Sequence, residues 1–144
     1  MWMRRDSMTD RELIAEAKRF RTHAYAPYSG FSVGAALLGK SGCVYGGTNV
    51  ENASYPVGIC AERAALAHAV SEGERVFEAL AVIADSPNVC TPCGMCRQML
   101  AEFPIARIIL ANIAGHTEVL TIADLLPCAF GAGSLSAERK ECSR

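Results

Sequence analysis

Apolar residues at Leu13, Ile14, Ala17 and Phe20 recur at helical spacing, with Thr9 placed to cap the first turn. The pattern predicts a helix over residues 13–23. Tyr25-Ala26-Pro27-Tyr28-Ser29-Gly30 breaks it. Residues 31–38 predict a strand, Lys40-Ser41-Gly42 a turn, and residues 43–48 the hairpin partner. Residues 49–58 are polar and irregular, punctuated by Pro56 and Gly58. A second helix is expected over residues 59–71, where Ala64, Ala67 and Ala69 carry little bulk. Such a helix can approach a sheet or another helix closely. Further on, residues 79–84 predict a strand, 85–92 a loop, 93–103 a third helix and 107–111 a strand. Residues 119–122 predict a last short strand after the Gly115-His116 turn, and Thr121 or Asp124 starts a short helical piece before Pro127.

Helices alternate with strands after the opening hairpin. That order is solved most simply by one α/β sheet, partly parallel and partly antiparallel, with helices on both faces. The 144 residues suit a single domain spanning 1–144, with residues 132–144 expected as a small, polar, flexible tail. No internal repeat or linker divides the chain. Half the residues are apolar, which fits a packed globule and excludes a disordered chain.

Charge narrows the function. The net charge of -1 and the lack of a large basic cluster argue against long nucleic acid and favour a small, weakly charged substrate. Residues 1–6 hold two arginines with no apolar run behind them, so neither a secretory signal nor a membrane span is expected. Seven cysteines without a signal peptide point to a reducing, cytoplasmic setting and to metal-bound thiolates.

Two segments carry the chemistry: Cys60-Ala61-Glu62-Arg63 and Pro92-Cys93-Gly94-Met95-Cys96-Arg97. Each falls at the start of a predicted helix. Cys93 and Cys96 lie one helical turn apart, and a folded core has to bring Cys60 alongside them. Three thiolates suit zinc and leave its fourth tetrahedral position for water, the arrangement of a catalytic site. Glu62 is not needed as a ligand and can move protons for that water. Zinc with three thiolates carries a formal charge of -1; two helix N-termini and the Arg63 guanidinium can offset it.

Rival readings are weaker. The CxxC pair alone also fits a redox pair, but that leaves Cys60 and Glu62 unexplained. Cys90, Cys93 and Cys96 have the spacing of an iron–sulfur run, yet the further cysteine it needs is replaced by Leu100. His23, His68 and His116 are assigned to structure rather than metal, and the Gly131-Ala132-Gly133 string lacks the surroundings of a dinucleotide site.

The order C-A-E followed by P-C-x-x-C is the signature of zinc deaminases. Around it lie Tyr28-Ser29, Phe31-Ser32-Val33-Gly34-Ala35-Ala36, Gly47-Thr48-Asn49-Val50-Glu51-Asn52-Ala53, Tyr55-Pro56, Gln98, Leu125-Leu126-Pro127 and Phe130-Gly131. With these the chain closely resembles the small homotetrameric cytidine deaminases over roughly residues 10–131. The resemblance implies a three-layer α/β/α fold with a five-stranded mixed sheet and one zinc ion per subunit. It implies hydrolytic deamination of cytidine and 2′-deoxycytidine in pyrimidine salvage, with Glu62 catalytic. By the same resemblance Asn49 and Glu51 bind the sugar 3′-hydroxyl, Phe31 packs against the pyrimidine, and Ala61 lines the substrate. Arg63 tunes the thiolates and Gln98 stands behind the ligands. Tyr55 and Phe130 complete sites shared between subunits. Two departures are mild: Thr91 stands where serine is usual, and Met95 occupies a variable position.

Other functions remain as alternatives. A deaminase for a modified cytosine nucleoside would share the zinc site, but the segment Asn49-x-Glu51-Asn52 favours a plain nucleoside. A nucleic-acid-editing deaminase needs a basic channel that the charge balance does not supply. A non-enzymatic zinc module would need neither an open coordination position nor Glu62.

Overall fold

A computed structural model describes residues 8–135 of the chain. Helix α1 (Asp10–Arg21) starts at a capping box, in which Glu12 N–H donates to the Thr9 hydroxyl and the Glu12 carboxylate accepts from Thr9 N–H. Acidic residues in its first turn and basic ones in its last complement the helix dipole. Strands β1 (Val33–Gly39) and β2 (Val44–Thr48) form the expected hairpin. A short 3-10 turn at Tyr55–Val57 precedes α2 (Ala61–Ser71). Then follow β3 (Phe77–Ala84), α3 (Gly94–Ala101), β4 (Ile105–Asn112), β5 (Thr117–Leu120), α4 (Ile122–Leu125) and α5 (Ala132–Leu135).

The five strands lie in the order β2-β1-β3-β4-β5. Only β3 and β4 run parallel; the other neighbours are antiparallel. The mixed sheet therefore matches the α/β architecture expected. Its central strands are buried on both faces, and alternate residues divide between two cores. Leu13 and Ala17 of α1 meet Ala36, Leu38, Ala79, Ala81 and Ile83 on one face. On the other, Ala61, Ala65, Leu66 and Ala69 of α2 and Leu100 of α3 meet Ala35, Leu37, Leu80, Val82 and Ile108. The result is three layers.

Close seating of α2 depends on a glycine. A Cβ added to Gly47 on β2 would lie 2.3 Å from both the Ala61 carbonyl oxygen and the Ala65 nitrogen. Gly47 with Ala61, Ala65 and Ala69 thus lets the backbone of α2 rest directly on the sheet, which fixes the height of its N-terminus; of the alanines named from the sequence only Ala69 is buried there, and Ala67 is exposed.

Several boundaries differ from the sequence expectation. Ile59 is not helical: its N–H and carbonyl pair with Val50, so α2 begins at Ala61. Phe31 and Ser32 precede β1 because their carbonyls accept from the side chains of Asn49 and Arg21. The last strand ends at Leu120, since Thr121 caps α4 through a second capping box with Asp124 and Ile122 is already helical. Strand β3 begins earlier than expected, at Phe77, where it pairs with Ile105. Helix α3 is shorter than expected, ending at Ala101. Of the expected flexible tail, Ala132–Leu135 form α5, and the rest lies outside the described residues, as do the arginines near the start.

Candidate metal centre and active site

Cys60 is the N-cap of α2, and Cys93 is the N-cap of α3. Cys96 follows in the first turn of α3 and is fully buried. Seating α2 and α3 on one face of the sheet brings their N-termini together. The three sulfurs all lie within 4.8 Å of one another, and Cys60 Sγ is 3.8 Å from Cys93 Sγ. Tetrahedral zinc with Zn–S bonds of about 2.3 Å needs sulfurs about 3.8 Å apart, so the donor set and its spacing fit that ion. Among the described residues this is the one cluster of metal-ligating side chains of this kind. None of the histidines joins it.

The surroundings favour negative charge on Cys60. Hydrogen bonding with Cys96 pulls the Cys60 thiol down to about 5, against the opposing effect of burial, and Arg63 and Cys93 add to the pull. Cys96 is pushed the other way, by the same bond with Cys60 and by burial. The Arg63 guanidinium stands beside both sulfurs. One of its arms donates to the Gly58 carbonyl at 3.3 Å, while its buried Nε has no oxygen or nitrogen partner. Two helix N-termini and one guanidinium thus converge on the thiols.

Glu62 lies in the first turn of α2 and is 4 % exposed. Burial raises its pKa, and the charge of Cys60 raises it further. A carboxyl raised in this way can hold a proton and release it again. Ala61, fully buried at the first position of α2, brings its backbone to the same place. Cys90 was given no role in the sequence reading; it is half-buried, and burial and the charges of Glu62 and Cys60 push its thiol up to about 11. Its spacing to Cys93 and Cys96 matches an iron–sulfur run, but its sulfur is not among the three clustered ligand atoms.

The remaining sequence candidates fall into three groups. Asn49 ties down the start of β1: its Oδ1 accepts from Val33 N–H at 2.9 Å, and its Nδ2 donates to the Phe31 carbonyl at 2.8 Å. Glu51 accepts from the backbone N–H groups of Tyr28 and Ser29 and from the Ser29 hydroxyl. These bonds hold its carboxyl below its ordinary pKa. A cleft of about 300 Å³ opens here, lined by Tyr28, Ser29, Glu51, Asn52, Tyr55 and Gly58. That is the lower end of the range for small-molecule sites.

Tyr55 and Phe130 are 75 % and 60 % exposed, and Phe31 is exposed too. Tyr55 meets the edge of Tyr28 at 5.7 Å between ring centroids. Gln98 donates from Nε2 to the Phe130 carbonyl at 2.7 Å, so it acts on the segment after α4 rather than on a sulfur. Its neighbour Arg97, to which the sequence reading assigned no role, reaches the Pro92 and Leu125 carbonyls.

The chain is similar to known proteins. A family model described as the cytidine and deoxycytidylate deaminase zinc-binding region matches residues 7–112. The chain is 50 % identical over 127 residues to a cytidine deaminase from Sporosarcina psychrophila, covering 87 % of this chain and 93 % of that one. It is 49 % identical to a cytidine deaminase from Halalkalibacterium halodurans over 86 % of this chain and 96 % of the other. The crystal structure of cytidine deaminase from Burkholderia pseudomallei superposes with a TM-score of 0.83 at 47 % identity, covering 85 % of this chain and all of that one.

Proposed function

The chain belongs to the zinc-binding cytidine and deoxycytidylate deaminase family, and from that premise we propose how its residues share the work. It is a hydrolytic, zinc-dependent cytidine deaminase. The substrates are cytidine and 2′-deoxycytidine, and the products are uridine or 2′-deoxyuridine and ammonia. The observation that carries this reading is the convergence of Cys60, Cys93 and Cys96 beside a buried Glu62.

Cys60, Cys93 and Cys96 hold the zinc, one ion per chain. Zinc bound there supplies the Lewis acidity that makes water a nucleophile near neutral pH. The Glu62 carboxylate would take a proton from the attacking water and pass it to ring N3, which makes C4 more electrophilic. Glu62 would then take the remaining proton from the oxygen added at C4 and deliver it to the amino group, so that the C4–N bond breaks, ammonia leaves and C4 becomes a carbonyl. Burial supports this role, because it brings the acid and base forms of Glu62 closer in energy at working pH. Arg63 offsets the charge of the thiolates and keeps their donor strength in balance.

Asn49 and Glu51 bind the sugar 3′-hydroxyl. One N–H of the Asn49 amide and about one lone pair of Glu51, on Oε2, remain for a ligand beyond the bonds described above. Phe31 packs against the pyrimidine, with the backbone of Ala61 beside it. Tyr55 and Phe130 reach the pocket of a neighbouring subunit in a homotetramer. Their exposure supports this, since large aromatics left in solvent are common where another surface is due to cover them. The reaction serves pyrimidine salvage in the cytoplasm, and the Cys60, Cys93 and Cys96 thiols, free of disulfides, are available to metal.

A direct assay tests the reading. Protein with its zinc content measured is incubated with cytidine, and uridine and ammonia are quantified. Equal amounts of both are expected. Zinc-replete protein that leaves cytidine intact would refute it.

A further inference from the structure

Arg97 and Gln98 are consecutive on α3, yet they grip two distant parts of the chain. Arg97 Nε donates to the Pro92 carbonyl at 2.8 Å, and Nη1 donates to the Leu125 carbonyl at 2.8 Å. Gln98 Nε2 donates to the Phe130 carbonyl at 2.7 Å. Pro92 directly precedes Cys93, and Leu125 is the last residue of α4. Both ends of residues 125–130 are therefore clasped to the helix that carries Cys93 and Cys96.

Apart from these clasps and the disulfide of Cys128, the segment has no regular structure of its own. Residues 126–131 form neither helix nor strand. Cys128, which is disulfide-bonded, sits at a φ of 54°, a left-handed conformation disfavoured for a residue with a Cβ. The Phe130 ring is exposed, so its position is set by its backbone rather than by packing within the chain. A guanidinium suits this task because its planar fork can direct separate N–H groups at two carbonyls in fixed geometry.

We infer that Arg97 is a positioning residue, which sets the place of the Phe130 segment relative to the zinc-ligand loop. The inference rests on the deaminase reading for the use of Phe130. It assigns Arg97 no contact with substrate. Its effect on catalysis passes through Phe130, so removing the ring should remove most of the effect.

The test compares wild type, Arg97→Gln, Phe130→Ala and the double variant. Zinc per chain, amide hydrogen exchange of residues 126–131, and kcat and KM on cytidine are measured. Arg97→Gln should keep its zinc, speed exchange of that segment about tenfold or more, and lower kcat/KM about tenfold or more through misplacement. In the Phe130→Ala background the same change should cost less than about threefold. Additive losses, lost zinc or unchanged exchange would overturn the inference. Should Arg97→Gln fail to fold, Arg97→Lys enters the same cycle; it keeps the charge but cannot fork, and an intermediate effect is expected. Wild type inactive on cytidine would refute the deaminase reading, while the exchange measurement would still decide whether Arg97 holds the segment.

Discussion

Cys60 and Cys93 cap two different helices, and their sulfurs lie 3.8 Å apart. That pairing spans 33 positions of sequence and depends on how α2 and α3 sit on the sheet. Both sulfurs stand at helix N-termini without a capping hydrogen bond to their own helices, and the negative charge on Cys60 is favoured by its bonds with Cys96, Arg63 and Cys93.

Loss of one ligand should empty the site. Cys96→Ala is expected to reduce zinc from near one ion per chain to below about a tenth, because two thiolates cannot sustain the affinity of three. Stability gained through metal binding should disappear with it. Metal analysis and thermal unfolding check this; full zinc retention would sink the ligand assignment.

The seat of α2 gives a prediction remote from the chemistry. Gly47→Ala places a methyl group against the α2 backbone, where nothing can rotate away. The overpacking should cost about 1–3 kcal/mol. Displacement of α2 should also weaken zinc binding, as Cys60 moves with it. Wild-type unfolding and zinc affinity in this variant would show that the contact is more yielding than its geometry implies.

Sugar recognition should divide Asn49 from Glu51. Loss of either should weaken 3′-hydroxylated nucleosides far more than 3′-deoxy analogues. Asn49→Ala should in addition lower stability by about 1–3 kcal/mol, since it leaves the Val33 N–H without its partner. Glu51 also predicts a pH effect. Its pKa is lowered by bonds from Ser29 and Tyr28, so the carboxylate persists below the usual carboxylate range. Affinity for the 3′-hydroxyl from this residue should hold above that range and fall as pH drops through the depressed pKa. Equal losses on both substrate classes would point to a packing role.

Shared sites predict complementation. Glu62→Gln and Phe130→Ala, each strongly impaired alone, should recover activity above either parent when subunits exchange, because some mixed sites receive both intact residues. No recovery in mass-confirmed mixed tetramers would count against sharing, and a particle mass near that of one 15.4 kDa chain would reject the assembly.

Much of this was readable from local signals. Helical spacing and Thr9 located α1, and the two cysteine motifs fell at helix starts as expected, while the close seat of α2 rests on Gly47, Ala61 and Ala65 rather than on Ala64 and Ala67. What escaped reading depends on partners far along the chain. Ile59 looked helical beside an alanine-rich run, but Val50 offered it a strand partner. Asn49 is committed to backbone groups of residues 31 and 33, a use that a polar loop residue does not advertise. Arg97 reads as an ordinary surface arginine until the Leu125 carbonyl, 28 positions away, is brought to it. Asn112 likewise escapes notice: buried at the end of β4, it donates to the Ser86 and Pro87 carbonyls and accepts from His116 N–H, bracing the loop that leads to Cys93. Spacing rules identify side chains that act on a shared ion, whereas these contacts end on backbone carbonyls that any residue type supplies.

The central claim is that Glu62 moves protons at a site whose metal is held by the three cysteines alone. Single-turnover and steady-state rates of Glu62→Gln on cytidine, with zinc measured on the same sample, test it most directly. The substitution keeps size and hydrogen-bonding reach but cannot take up a proton. Zinc should remain near one ion per chain while the chemical rate falls at least about a hundredfold, the lower range for a general acid–base group. A zinc-replete variant turning over at the wild-type rate would contradict the account.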